Sequence, residues 1–112
     1  MEIPVERVQD VAVATVPVEE LDASNATQFK EDVAALLDAD AKVVFDLRRV
    51  RFADSSGLGA LISCLRKVNA RGGDLKLCSL SDQVRGLFEL VRMHRVFEIH
   101  ATREEAVRAF QS

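Results

Sequence analysis

The chain has 112 residues, 48% of them hydrophobic, and a net charge of −3. That length and apolar share suit one domain with a core of its own. The charge leaves neither the basic footprint of a nucleic-acid binder nor an acidic tail. Trp and Tyr are absent and six Phe are the only aromatics, which removes the usual stacking platforms for bases and sugars. Cys64 and Cys78 are the two cysteines, and their spacing fits neither a redox CxxC pair nor a zinc clip. They read as free, buried thiols in a reducing compartment. No apolar run is long enough to span a bilayer and no secretory signal opens the chain, so a cytoplasmic location without membrane insertion is expected.

In chain order, Ile3, Val5 and Val8 predict a first strand with one apolar face, and Gln9-Asp10 a turn. Val11 to Val18 is apolar on both alternating faces and predicts a second strand, antiparallel to the first, with Pro17 marking its end or an edge. Glu19 to Asp22 reads as a turn or loop. Ala26, Phe29, Val33, Leu36 and Leu37 recur at helical spacing and predict a helix over residues 25–37, capped by Ser24 or Asn25, with Gln28 completing a box with Asn25. Val43 to Leu47 is a short run of β-formers, the pattern of a central strand covered on both sides. Residues 48–53 read as a connection. Leu58, Leu61, Ile62, Leu65 and Val68 predict the second helix, with Gly59, Ala60 and Ser63 partly off its stripe and Gly72-Gly73 ending it through positive φ. Leu75, Leu77 and Cys78 predict a strand, which completes a parallel βαβ unit. A third helix is expected from Ser81, with Val84, Leu87, Phe88 and Val91 on one face. Val96 to Ile99 predicts a short edge strand, and Thr102 to Glu105 a capping box opening a last helix with Ala106, Ala109 and Phe110 inward.

The expected class is α/β: one domain over residues 1–112, with a mixed sheet of four to five strands covered by about four helices.

Asp54-Ser55-Ser56-Gly57-Leu58-Gly59 stands out, because it places two hydroxyls where a strand-like run meets an amphipathic helix. Backbone N–H groups at a helix start lack partners, and the helix dipole favours negative charge there. A phosphorylatable serine or an anion suits that position, and so does a plain helix cap.

With its surrounding segments, this loop resembles the STAS domain of bacterial anti-sigma factor antagonists. The resemblance rests on Leu21-Asp22 followed by Asn25-Ala26, on Val44-Phe45-Asp46-Leu47, on Phe52 to Leu61 around the Asp-Ser-Ser-Gly motif, and on Leu87-Phe88-Glu89-Leu90. It extends over nearly the whole chain. It implies a non-enzymatic partner switch, with no cofactor of its own. In such proteins the serine after the motif's Asp, here Ser55, is phosphorylated by an anti-sigma factor that is itself a serine kinase. The unmodified form binds that kinase and frees the sigma factor, the phosphorylated form releases it, and a phosphatase resets the cycle. The resemblance further implies that Asp22, Asp54, Ser56, Gly57, Leu58 and Gly59 form the phosphorylation loop and partner surface, together with the exposed flank of the second helix. One departure is Glu19, where many relatives place Gly before the Glu-Leu-Asp turn.

Other chemistries fit less well. Neither serine has the preceding glycine of a nucleophile elbow, and the two histidines, His94 and His100, lie far along the chain. Gly57-Leu58-Gly59 is too short for a dinucleotide fingerprint, and no Walker lysine follows. Arg48, Arg49 and Arg51 form a basic cluster, read as a solvated edge or as a patch facing an acidic partner; Arg92 and Arg95 pose the same choice. The alternatives to the switch are a non-phosphorylated interaction module in a transport or signalling assembly, or a nucleotide or ligand sensor.

Overall fold

A computed structural model describes residues 1–111. The chain runs β1 (Val5–Val8), β2 (Val11–Thr15), β3 (Glu20–Leu21), α1 (Ala26–Ala39), β4 (Lys42–Asp46), β5 (Phe52–Ala53), α2 (Ser55–Asn69), β6 (Asp74–Cys78), α3 (Asp82–Leu90), a 3-10 turn (Met93–Arg95), β7 (Ile99–His100) and α4 (Arg103–Ala109). The main sheet has the order β1-β2-β4-β6-β7. Only β1 and β2 pair antiparallel, through the Gln9-Asp10 turn, in which Gln9 takes φ 57°; the other pairings are parallel. The expected mixed sheet and four helices are therefore present.

Side-chain alternation along the central strands sorts residues to two faces. Val43 and Phe45 of β4, with Leu75 and Leu77 of β6, join the large core under α1, α2 and α3. There the Phe29 and Phe45 rings meet edge to face with centroids 5.6 Å apart, and each buried ring contributes on the order of 2–3 kcal/mol. Val44 and Cys78 point the other way and meet Val11, Val13, Ala106 and Val107 beneath α4 alone. An ionic clasp helps hold α4 in place. The Asp46 carboxylate, 1% exposed, accepts bonds from the Arg103 guanidinium at 3.0 and 3.3 Å and from the Arg48 N–H at 2.9 Å. Arg103 also reaches Glu6 and the Thr15 hydroxyl.

Several expectations need correction. Glu20–Leu21 and Phe52–Ala53 are not plain loop: they pair in parallel as a separate two-stranded sheet. The Asn25–Gln28 box does not form. Asn25 spends its amide on the Asp22 N–H and the Glu20 carbonyl, Gln28 bonds Asp32, and α1 ends two residues later than expected. Gly72 ends α2 with φ 83°, as its freedom allows, but Gly73 is needed for a different reason: a Cβ there would lie 2.4 Å from the Ala41 carbonyl oxygen. The first strand begins at Val5 rather than Ile3 and is largely exposed. The edge strand begins at Ile99 rather than Val96, because Val96 and Phe97 both donate their N–H to the Met93 carbonyl and turn the corner instead. Val91 is half exposed, and in α4 the fully buried pair is Ala106 and Val107, with Ala109 and Phe110 only half-buried.

Candidate functional site

The two short strands build the site. Pairing of Glu20 with Phe52 and Leu21 with Ala53 lays the β3–α1 loop beside the loop that starts α2. The Glu19 carbonyl accepts from both Arg51 and Phe52 N–H groups, and Glu19 is not among the residues with positive φ. The local turn therefore has no need of the glycine that many relatives carry.

Asp54 is the N-cap of α2, in extended conformation, and its carboxylate joins the two loops. One oxygen accepts from the Gly57 N–H at 2.9 Å and the other from the Ala23 N–H at 3.1 Å. Its carboxyl is held below the usual carboxylate range, chiefly by the Gly57 N–H, with the Ala23 and Ser56 N–H groups adding to the effect. The alternative reading of Ser55 and Ser56 as helix caps gives way to this arrangement: Asp54 caps, and both serines stand exposed on the first turn.

Gly57 fixes how closely that turn approaches β3. A Cβ on Gly57 would fall 1.9 Å from the Leu21 carbonyl oxygen, so only hydrogen fits. Leu58 packs into the core next to it, whereas Gly59 is exposed with open space around it. Asp22 borders the same surface. It folds its own loop by accepting from the Ser24 N–H at 3.0 Å and the Ser24 hydroxyl at 2.6 Å, while its carbonyl accepts from Ala26 N–H at 2.8 Å. The structure thus brings Asp22, Asp54, Ser55, Ser56 and Gly57 to one place. Sequence reasoning missed the backbone partners that join them, Leu21 and Ala23. Glycine alone was no signal for the close approach, since Gly59 in the same helix meets open space and Gly57 does not.

The remaining candidates lie elsewhere or are otherwise engaged. His100 bonds Glu98 at 2.6 Å, and His94 stands exposed on the 3-10 turn. Burial pushes the Cys64 and Cys78 thiols up to about 12 and about 11, which makes them unreactive at neutral pH. Arg48 lies 4.0 Å from Asp46, while Arg51 lines a cleft of about 450 Å³ with Phe52, Gln83 and Leu87. Among the described residues, no helix is long and apolar enough to cross a membrane.

Comparison with known proteins places this geometry. The STAS domain model matches residues 2–106, and the chain belongs to that family. It is 31% identical over 88 residues to the anti-sigma-B factor antagonist of Bacillus subtilis, spanning 79% of this chain and 81% of that protein. Two solved structures share its fold. One is an anti-sigma-factor antagonist (STAS) domain protein from Planctomyces limnophilus, with TM-score 0.90 and 24% identity over the whole of both chains. The other is the Bacillus cell fate determinant SpoIIAA in its phosphorylated form, with TM-score 0.71 and 23% identity, covering 96% of this chain and 98% of that one.

Proposed function

We propose that this chain is an anti-sigma factor antagonist whose hold on its partner is switched by phosphorylation of Ser55. The observation that carries the reading is the exposed Ser55 on the first turn of α2, held beside Asp22 by the Asp54 carboxylate, in a member of the STAS family. The partner is an anti-sigma factor that is also a serine kinase and brings its own ATP. A phosphatase restores the serine, and the chain itself performs no catalysis. All of this takes place in the cytoplasm.

The physical chemistry supports the switch. A phosphoryl group adds about −1.5 to −2 charges, here next to Asp54 and close to Asp22. A partner packed on that surface would face like charge and would have to strip water from the phosphate. Each loss of about 1.4 kcal/mol lowers affinity tenfold, so a few kcal/mol makes a clean release. The positive end of the α2 dipole meanwhile tolerates the added charge, so the fold survives modification. The partner surface consists of the Asp22 loop, the turn from Asp54 to Gly59 and the exposed flank of α2.

The test is site-mapped intact mass of the chain recovered from its own cells under several growth conditions, followed by binding of the kinase identified. A condition-dependent fraction with one phosphoryl group on Ser55 is expected. Ser55→Asp should bind the kinase at least tenfold more weakly with an unchanged fold, and Ser55→Ala should bind it while resisting modification. Absence of phosphate under every condition would favour the non-phosphorylated module, and modification persisting in Ser55→Ala would move the acceptor elsewhere.

A further inference from the structure

The segment from Leu90 to Val96, where α3 gives way to the 3-10 turn, has a surface that the Ser55 site does not use. Leu90 is 79% exposed, Val91 47% and Val96 50%. Between them stand Arg92, His94 and Arg95, all exposed. Among the described residues none of these three takes part in an ion pair. No carboxylate lies between Glu89 and Glu98, and Glu98 is already held by Lys76 at 2.8 Å and His100 at 2.6 Å. The tip thus carries three exposed aliphatic side chains and two unpaired guanidiniums within seven residues, flanked by the Glu89 carboxylate.

The tip is also preorganised. Met93 and Phe97 anchor it from below at 5% and 3% exposure, and the Phe97 ring packs 6.4 Å from that of Phe88. Its backbone closes on itself, with Arg92 N–H on the Glu89 carbonyl, Arg95 N–H on the Arg92 carbonyl, and Val96 and Phe97 N–H on the Met93 carbonyl. Arg92 sits at φ 62°, ψ 26°, a left-handed conformation that an arginine holds only against strain. A ligand meeting this surface therefore has little loop ordering to overcome.

We propose that Leu90–Val96 is a docking surface for a protein segment that presents aliphatic side chains among carboxylates, separate from the Ser55 loop. Charge complementarity selects the occupant: the guanidiniums of Arg92 and Arg95 would meet the carboxylates while Leu90, Val91 and Val96 cover aliphatic groups. A bilayer fits less well. The tip has neither the aromatic residues nor the lysines that anchor proteins at lipid interfaces, and three aliphatic side chains on a short turn give little apolar face to insert.

The test follows the amide NMR spectrum of the full isotope-labelled chain. It is titrated separately with a synthetic amphipathic peptide of Leu and Glu, with the same peptide carrying Lys for Glu, and with phosphatidylglycerol vesicles. The expected result is saturable shifts confined to residues 88–98 with the acidic peptide and none with the basic one. Affinity should fall at least tenfold in the double variant Arg92→Glu, Arg95→Glu and in Leu90→Ser. Arg92→Gly suits the left-handed backbone, so it removes a cation without stressing the fold, and it should weaken binding by roughly threefold. Ser55→Asp should leave the peptide affinity unchanged, so this surface stands or falls apart from the switch. Equal response to both peptides, shifts elsewhere on the molecule, or movement of these amides by vesicles alone would each overturn the proposal.

Discussion

At the scale of single residues, the site depends on one carboxylate and one missing side chain. Asp54 satisfies two N–H groups with two oxygens, and an amide offers only one acceptor oxygen. Asp54→Asn is therefore expected to lose one of the two links and to lower the thermal midpoint. The loss has a definite pH dependence. The folded-state pKa of Asp54 lies below its ordinary value of 3.8, so its stabilisation is complete above that value and disappears as the pH falls through the folded pKa. Urea unfolding across an acid series should show wild type and Asp54→Asn separated near neutrality and converging below about pH 3.8. Gly57→Ala brings a Cβ against a backbone oxygen that has no rotamer to escape into. It should destabilise by about 2–3 kcal/mol, read as a lower denaturation midpoint at unchanged slope. In contrast, Gly59→Ala meets open space and should be neutral or better. The cap at Thr102 was legible in the sequence because a hydroxyl three residues before the N–H that donates to it is a local signal, and Ser81, read as a helix start, accepts from the Val84 N–H in the same way. Asn25 had the right chemistry for the same role. Its amide is taken by Asp22 and Glu20, and that competition exists only once the preceding loop has folded.

At the scale of elements, what the sequence revealed depended on length. Fourteen residues of α1 and fifteen of α2 carry several turns of periodic signal, and β2, β4 and β6 are long enough for alternation to show both faces. By comparison, β3 and β5 have two residues each. Two residues define no period, and what makes them strands is each other, 32 positions apart along the chain in the pairing of Glu20 with Phe52. For the same reason the motif was readable from Asp54 to Gly59, while the joining of that motif to the Asp22 loop was not. The edge strand was placed too early because Val96 and Phe97 have β-forming side chains, yet their N–H groups are drawn to the Met93 carbonyl. At this scale α4 is the weak member. It has seven residues, buries only Ala106 and Val107 fully, and depends on the Thr102 cap and the Arg103 clasp. Helices this short have little stability of their own. Thr102→Ala should raise the hydrogen-exchange rates of α4 amides about fivefold, for a cap worth about 1 kcal/mol, with no change in α1 or α2.

At the scale of the whole molecule, the sheet is covered unequally: three helices lie over one face and a single short helix over the other. The Ser55 loop belongs to the thickly covered side, so a change of charge there need not disturb the framework that presents it. The thinly covered side shields Cys78, which is 0% exposed, whereas Cys64 is a residue of α2 itself, turned toward α1, where it lines a small cleft with Lys30, Leu37 and Lys67. Local opening in proteins follows such differences in packing, with sparsely covered units leaving first. The two thiols can therefore act as a pair of internal clocks. In native buffer a thiol reagent should consume Cys78 at the rate at which α4 lifts away and Cys64 at the separate rate at which α1 and α2 part, so that one labelling time course records both events in the same molecule.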